Sequence, residues 1–125
     1  MGKPFRLKPW EPKETLIQAA ILEALTYEIG LGRVVWANRM NSGAAKYYDQ
    51  KTQKERFIRF GFPGCPDIHG QLTDGRALYF EVKTAKGRAT DHQKAFMEKA
   101  LKHNAVGGIV RSADEAVEIV RGAFR

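Results

Sequence analysis

A strand–turn–strand pattern over residues 64–83 constrains the fold of this chain more than any other feature. Its second half, Leu-Tyr-Phe-Glu-Val-Lys at residues 78–83, alternates apolar and polar side chains, which predicts a half-buried strand with one wet face. Glu81 and Lys83 share the wet face and lie about 7 Å apart along the strand. The hairpin therefore presents a carboxylate and an ammonium side by side.

The turn of this hairpin decides which residues of the two strands face one another. A two-residue turn, Asp74-Gly75, would place Ile68 opposite Glu81 and send Asp67 to the other face. A three-residue turn, Thr73-Asp74-Gly75, places Asp67 opposite Glu81 instead. We predict the three-residue turn, because its last residue is a glycine, which adopts a positive φ at no steric cost.

Asp67 and Glu81 would then converge beside Lys83. Two adjacent carboxylates repel each other, so one of them retains its proton unless a cation lies between them. A divalent cation with oxygen ligands removes the conflict. The hairpin therefore predicts a metal site.

Pro66-Asp67 followed by Glu81-Val82-Lys83 resembles the PD-(D/E)xK nuclease motif. The wider text, from Gly64 through Gln93 to Val110-Arg111, is similar to the VRR-NUC branch of that superfamily in its small stand-alone form. The resemblance covers most of residues 11–111. An E-x-K strand is commonplace by itself, and the Pro-Asp hairpin partner makes the pattern specific. The chain departs from the family signature after Arg111, where a serine replaces the second arginine.

The resemblance implies an α/β fold with a PD-(D/E)xK restriction-endonuclease-like core. A mixed central sheet of about four strands would carry the first helix on one face and the helix after Thr90 on the other. It also implies Mg²⁺ or Mn²⁺ as cofactor, bound directly by Asp67, Glu81 and the Val82 carbonyl. Lys83 would orient the attacking water and contact the scissile phosphate.

The first helix is predicted from Pro12 to Ile29, with glycine at position 30 as its stop. Glu14 shares one face with Gln18 and two apolar residues. Favourable placement at the positive end of the helix dipole explains Glu14 without any catalytic role. The resemblance implies instead that Glu14 holds the metal through a water molecule.

A second helix is predicted to start with a capping box at Thr90 and Gln93. Capping alone accounts for Gln93, whereas the resemblance places a glutamine here facing the active centre, so both interpretations stay open. A strand at residues 106–110 and a helix capped by Ser112 complete the chain.

The net charge of +7 and the pI of about 9.7 predict a polyanionic partner. Basic residues with interleaved aromatics concentrate between residues 39 and 59, in a predicted polar loop (Ala44 to Glu55) and a short strand (Arg56 to Phe60). A basic loop at residues 84–89 follows the catalytic strand. The predicted DNA contacts are Arg39, Lys46, Lys51, Lys54, Arg56, Arg59, Lys86 and Arg88. A solvated charged face is the alternative interpretation.

His69 falls on the same strand face as Asp67, where it can tune the site or contact DNA. A zinc site is not predicted, because the three histidines lack ligand spacing and Cys65 is the only cysteine. A single cysteine also excludes an internal disulfide, and no apolar run reaches the roughly 20 residues that span a bilayer. We therefore expect a soluble cytoplasmic protein without membrane association.

The length of 125 residues fits one domain. Residues 1–11 are predicted to be a flexible basic arm and residues 12–125 a single VRR-NUC-like nuclease domain. A homodimer is expected, because symmetric cleavage of a four-way junction requires two centres. Apolar residues near the sheet are available for an interface, although they can equally be core: Trp36, Phe57, Phe60 and Phe62.

The sequence thus predicts a metal-dependent, structure-selective DNA endonuclease similar to the Holliday-junction resolvases, acting on branched or four-way DNA. A catalytically silent DNA-binding module is the alternative from a different class. A restriction-type or nonspecific duplex nuclease is a third, although so short a chain leaves little room for a recognition domain. Asp67, Glu81 and Lys83 favour an enzyme, since DNA binding alone does not need carboxylates facing DNA.

Overall fold

The computed structural model describes residues 11–40 and 43–125, with the backbone alone at residues 43–46, 59 and 60. The predicted basic arm lies outside the described residues except for Glu11. The elements in chain order are α1 (Glu14–Gly30), β1 (Val34–Arg39), β2 (Gly43–Asp49), β3 (Lys54–Phe60), β4 (Ile68–Leu72), β5 (Ala77–Val82), α2 (Asp91–Lys102), β6 (Val106–Val110) and α3 (Ala113–Gly122).

Four strands form a mixed central sheet in the order β1-β4-β5-β6. β1 and β5 both run antiparallel to β4, while β5 and β6 are parallel and are joined through α2. A parallel pair requires such a crossover, whereas the antiparallel pair β4–β5 needs only a tight turn. The predicted α/β class with a mixed sheet of four strands and flanking helices is confirmed.

The register of the β4–β5 hairpin matches the prediction. Ile68 pairs with Phe80 and Gln71 pairs with Ala77, so the same register continues to Asp67 opposite Glu81. Gly75 has a φ of 94°, in the left-handed region that a non-glycine residue adopts only at a cost. The three-residue turn at residues 73–75 therefore places both carboxylates on one side of the hairpin.

The two faces of the sheet are covered by different helices. Leu78, Phe80 and Val82 are fully buried on the face that α1 and α3 cover, together with Ile17, Ile21, Leu25, Ile68, Leu72, Val110, Ala116 and Val120. On the opposite face, α2 places the ring of Phe96 5.3 Å from that of Tyr79. The predicted placement of the first and second helices on opposite faces is thus confirmed, and Glu81 lies on the α2 face, where Gln93 contacts it.

The starts of the helices follow their capping residues. α1 begins at Glu14 rather than at Pro12 as predicted, with Lys13 in an extended conformation as the N-cap. The predicted capping box of α2 is present in both halves. In α3 only the Ser112 half forms, because the Glu115 carboxylate accepts from the amide of Arg111 instead. Leu101, in the last turn of α2, is 43% exposed.

Residues 43–60 form a two-stranded antiparallel ribbon, which corrects the predicted loop from Ala44 to Glu55. β2 pairs with β3 from Gly43 opposite Phe60 to Asp49 opposite Lys54. The prediction failed because charged and small residues in this segment give no apolar alternation. Cross-strand pairing holds the ribbon together, and local sequence does not report it.

Gly107 allows β6 to approach β5 closely. A Cβ at this position would lie 1.7 Å from the carbonyl oxygen of Tyr79, and the φ of Gly107 is 150°. We expect Gly107→Ala to destabilise the protein by roughly 3 kcal/mol or more, because backbone atoms must move apart. Urea denaturation measures the change.

Gly108→Ala is the matched control. The nearest atom to a Cβ at Gly108 is Cδ1 of Ile119, at 3.5 Å, which is ordinary contact. We expect a change within about 1 kcal/mol for this variant. Equal losses at the two glycines would contradict the close approach of the two strands.

Candidate functional site

Three carboxylates from separate parts of the chain converge at one end of the central sheet. One oxygen each of Glu14, Asp67 and Glu81 lies within 4.8 Å of the others. Glu14 comes from the first turn of α1, Asp67 immediately precedes β4, and Glu81 is the penultimate residue of β5. The structure therefore brings together the three acidic residues that the sequence singled out.

Asp67 is held in place from both neighbouring strands. The amide of Val82, at the end of β5, donates to the Oδ2 atom of Asp67 at 2.8 Å. The amide of Met40, just beyond β1, donates to the Asp67 backbone carbonyl at 2.7 Å. These bonds fix both the carboxylate and the backbone of Asp67. The role of the Val82 carbonyl as a ligand stays a prediction.

Glu81 is a buried carboxylate that is only partly satisfied. Its side chain is 2% exposed, and its Oε1 atom lies 3.6 Å from the ammonium of Lys83 and accepts from Nε2 of Gln93 at 3.0 Å. The Oε2 atom of Glu81 is buried and has no hydrogen-bond partner among the described residues. A buried anionic oxygen without a partner is costly, and a bound cation would satisfy it.

Gln93 both caps α2 and contacts the carboxylate cluster, the two alternatives that the sequence left open. Its Oε1 atom accepts from the Thr90 amide at 2.9 Å, which completes the capping box of α2. Its Nε2 atom donates to Glu81. The start of α2 is thereby tied to the carboxylate cluster, so capping and site geometry depend on the same side chain.

We expect Gln93→Ala to lower both stability and metal affinity. Loss of half of the capping box costs about 1 kcal/mol, and loss of the bond to Glu81 should reduce metal affinity roughly 10-fold. Thermal denaturation and calorimetric titration with Mn²⁺ measure the two effects. Thr90→Ala is the matched control, because it removes the other half of the box and leaves Gln93 beside Glu81. Metal affinity that falls equally in both variants would contradict the separate contact to Glu81.

Gln18 is a site residue that the sequence analysis left unassigned. It is 4% exposed, one turn after Glu14 on α1, and its Nε2 atom lies 3.5 Å from Oε1 of Glu14. Its Oε1 atom is buried without a partner among the described residues. The available signal was an amide on the apolar face of a helix, four residues from a candidate ligand.

Burial and mutual repulsion shift the proton affinities of these carboxylates. Burial is the largest cause that raises the pKa of Glu81 to about 8, followed by hydrogen bonding and charge repulsion from Asp67, while Lys83 opposes the shift. Burial also raises the pKa of Glu14, with Asp67 adding to the shift and both Lys83 and Arg39 opposing it. The cluster thus favours a proton or another cation over three free charges.

Arg111 holds the basic loop that follows β5. Its Nη1 atom donates to the carbonyl of Gly87 at 2.7 Å and also to the carbonyl of Thr84. Lys86 lies on this loop with its side chain 83% exposed, 3.6 Å from the carboxylate of Glu11, and Arg88 is exposed as well. From sequence, Arg111 was only the first arginine of the VRR-NUC-like signature, without a structural role. Its contact with this loop depends on the parallel pairing of β6 with β5.

The predicted DNA-binding residues fall into three groups, of which Lys86 and Arg88 on the loop after β5 form the first. Arg39 is exposed at the end of β1, near enough to Glu14 to act on its pKa. Lys51, Lys54 and Arg56 are exposed on the β2–β3 ribbon, where Arg56 pairs with Asp49 at 3.1 Å. The side chains of Lys46 and Arg59 lie outside the described residues.

His69 lies apart from the carboxylate cluster. Its ring contacts that of Tyr79 edge to face, with 5.1 Å between the centroids, and its Nε2 atom lies 3.7 Å from Sγ of Cys65. Burial lowers the pKa of His69 below its ordinary value. His69 therefore forms part of the aromatic layer under α2, and the cluster is made of oxygen ligands.

The geometry and chemistry of the cluster fit a hard divalent cation. Oxygen ligands of one Mg²⁺ ion, at about 2.1 Å from the metal, are separated by at most roughly 4 Å, so the observed spacing needs only a small contraction. The unpartnered Oε2 atom of Glu81 supplies one ligand without breaking a hydrogen bond. These three carboxylates can thus hold a metal ion.

Comparison of the chain with protein-family models and with curated proteins returned no match. Among the described residues, the helices are all too short or too polar to cross a membrane.

Proposed function

We propose that this chain is a metal-dependent, structure-selective DNA endonuclease with a PD-(D/E)xK core of the VRR-NUC type. One observation carries the proposal. Asp67 and Glu81 face each other across a hairpin, with Glu14 completing the cluster and the ammonium of Lys83 3.6 Å from Glu81. Carboxylates that gather a cation beside a lysine suit the hydrolysis of a phosphodiester, whose charge repels a hydroxide.

A Mg²⁺ or Mn²⁺ ion bound by Asp67, Glu81 and Glu14 would supply stabilisation of the negative charge that develops on the phosphate. Lys83 contributes a fixed positive charge at the same end of β5. Its ammonium can orient a water molecule for attack and contact a phosphate oxygen. Gln93 holds Glu81 in position from α2.

A catalytically silent DNA-binding module is less compatible with this site. DNA binding gains nothing from burying a carboxylate, and Glu81 is 2% exposed with one unpartnered oxygen. Such a group costs stability, and metal-dependent chemistry gives a reason for its presence.

A substrate panel tests the proposed function. The protein is incubated with Mg²⁺ or Mn²⁺ and with duplex, flap, single-stranded and four-way DNA, and EDTA serves as the control. We expect metal-dependent cleavage with branched DNA preferred. Absence of cleavage with every substrate and both metals would refute the nuclease. Equal cleavage of all substrates would refute the structure selectivity and indicate a nonspecific nuclease.

The proposed junction substrate implies a homodimer, because symmetric resolution requires two nicks in strands of like polarity. Exposed apolar residues are available for an interface: Trp36, Phe57 and Phe62 are 41%, 67% and 48% exposed. We expect a dimer in sedimentation equilibrium at micromolar concentration, with and without a four-way junction. A protein that is monomeric under both conditions and nicks plain duplex as readily as junctions would contradict the junction preference, while the proposal of a nuclease would remain.

A further inference from the structure

The ribbon formed by β2 and β3 stands apart from the central sheet. Its two strands pair with each other and, within the described part of the chain, pack chiefly against each other. An isolated two-stranded hairpin is only marginally stable in water. A ribbon of this kind therefore gains stability from a partner that contacts it.

Both ends of the ribbon are connected closely to the carboxylate cluster. The strand before it, β1, is followed by Met40, whose amide bonds to the carbonyl of Asp67. The segment after β3 leads through Gly64, packed against the backbone of His92, to Asp67 itself. Asp67 thus bonds to the residue that follows β1, and a short segment joins it to the end of β3, so a ligand held along the ribbon can extend to the cluster.

Within the described part of the chain, no helix or other strand makes extensive contacts with the ribbon. Tyr47 and Tyr48 are adjacent in β2, so they point to opposite faces, and they are 44% and 59% exposed. From residue 43 to residue 60 the chain has five basic and two acidic residues, a net charge of +3. The excess positive charge suits a polyanion such as the phosphate backbone of DNA.

The dimensions of the ribbon fit the major groove of B-form DNA. Strands of seven residues extend about 23 Å, the rise of roughly seven base pairs. The groove is about 12 Å wide and admits a two-stranded ribbon. We propose that the β2–β3 ribbon is an arm that lies in the major groove of double-stranded DNA beside the carboxylate cluster.

This inference rests on the proposed function for its choice of polymer and adds the substrate class to it. The scissile phosphate must be flanked on one side by about seven base pairs of B-form duplex, which the ribbon occupies. Single strands lack a groove, and the major groove of A-form RNA is too narrow and deep for side chains to enter. Binding should therefore discriminate double-stranded DNA from both.

The first experiment measures binding in EDTA, where hydrolysis is blocked. Fluorescence anisotropy gives the affinity for a DNA duplex of about 20 base pairs (two turns), an RNA duplex of the same sequence, and one DNA strand. We expect the DNA duplex to bind at least about 10-fold more tightly than either of the others. Equal affinities for DNA and RNA duplexes would overturn the groove placement.

The second experiment removes charge from the ribbon. Lys51→Ala combined with Lys54→Ala should weaken duplex binding and lower the slope of log affinity against log salt by about 1.8, two phosphate contacts. The matched control is Lys102→Ala with Arg125→Ala. It also removes two exposed positive charges, from the end of α2 and from the last residue, whose side chains are 71% and 64% exposed. The slope of the control should equal that of the wild type. Equal slopes in both double variants would overturn the proposal.

A second copy of the chain is the competing occupant of the ribbon. Sedimentation equilibrium of the Lys51→Ala, Lys54→Ala variant, with circular dichroism to verify folding, separates the two. Loss of self-association with unchanged DNA affinity would assign the ribbon to a subunit interface and overturn the proposal. Lost DNA affinity with an unchanged oligomeric state supports it.

The outcomes also separate this inference from the proposed function. If the ribbon variant loses duplex binding but the wild type cleaves no substrate, the DNA-binding arm is supported and the nuclease function is refuted. If the wild type cleaves DNA and the ribbon variant binds and cleaves DNA as the wild type does, the nuclease function is supported and the DNA-binding arm is refuted.

Discussion

Replacing Lys83 or Glu81 with alanine is expected to abolish phosphodiester cleavage while leaving DNA binding largely intact. Affinity for DNA comes mainly from phosphate contacts spread over a surface, whereas chemistry requires one preorganised centre. Glu81 carries the unpartnered buried oxygen, and Lys83 supplies the adjacent ammonium. We expect each substitution to reduce the rate by at least about 10³-fold, measured in single-turnover assays with Mg²⁺.

Lys102→Ala is the matched control for Lys83→Ala. It removes the same charge from the far end of α2, where Lys102 is 71% exposed and pairs with Glu98 at 3.6 Å. Its cleavage rate should equal that of the wild type. Cleavage at the wild-type rate by either site variant would refute the assignment of the centre. Loss of DNA affinity that matches the loss of rate would instead make these residues part of the binding surface.

The stability of the metal-free protein is expected to fall as the pH rises from about 4.5 to about 8. The pKa of Glu81 is raised to about 8 in the folded protein, chiefly by burial, whereas the ordinary pKa of a glutamate is 4.5. Between these values the folded state binds more protons than the unfolded state, so the free energy of unfolding decreases with pH. The decrease due to Glu81 is on the order of 5 kcal/mol, and the contribution of this group levels off outside this window.

Mn²⁺ or Mg²⁺ should reverse this loss, because the cation takes the place of the proton on Glu81. We expect the melting temperature at pH 8 to rise on addition of the metal, and the rise to be much smaller at pH 5, where the proton competes. Calorimetry at about pH 6.5 in buffers of different ionisation enthalpy should detect the release of nearly one proton per metal bound.

Glu81→Gln isolates the contribution of this one carboxyl. The amide keeps the shape of the protonated side chain and cannot ionise, so the variant should lose most of the pH-dependent decrease together with the metal response, and Glu14, whose pKa is also raised, accounts for the remainder. Above pH 8 it should be more stable than the metal-free wild type, although it should not cleave DNA. The same pH slope in the variant and in the wild type would show that another group is responsible.

The register of the hairpin at residues 67–82 was predictable from sequence, and so was the resulting position of Asp67 opposite Glu81. Alternation defines the faces of a strand, and a turn of odd length ending in Gly75 leaves one parity for the pairing. The capping box at Thr90 and Gln93 was equally local, since all its atoms lie within one helical turn. Local geometry and short-range hydrogen bonds fix such features, so a few adjacent residues suffice to predict them.

The resemblance to a nuclease motif supplied the role of Glu14, and the position of Glu14 at the cluster depends on packing. Its carboxylate reaches Asp67 because α1 packs against the sheet through Ile17, Ile21 and Leu25. Helical periodicity identified the buried face. The axial position that brings the first turn of α1 to the end of β5 is a property of the assembled core.

Three further features were decided by tertiary structure alone. The β2–β3 ribbon forms through cross-strand pairs in a segment without apolar alternation. Arg111 holds the loop at residues 84–87 because the parallel pairing of β5 with β6 brings them together. Gln18 joins the site because α1 buries it beside Glu14. The sequence by itself determined the local parity, the caps and the acidic candidates. Contacts between residues distant in the chain, which depend on the packing of whole elements, decided which of those candidates meet.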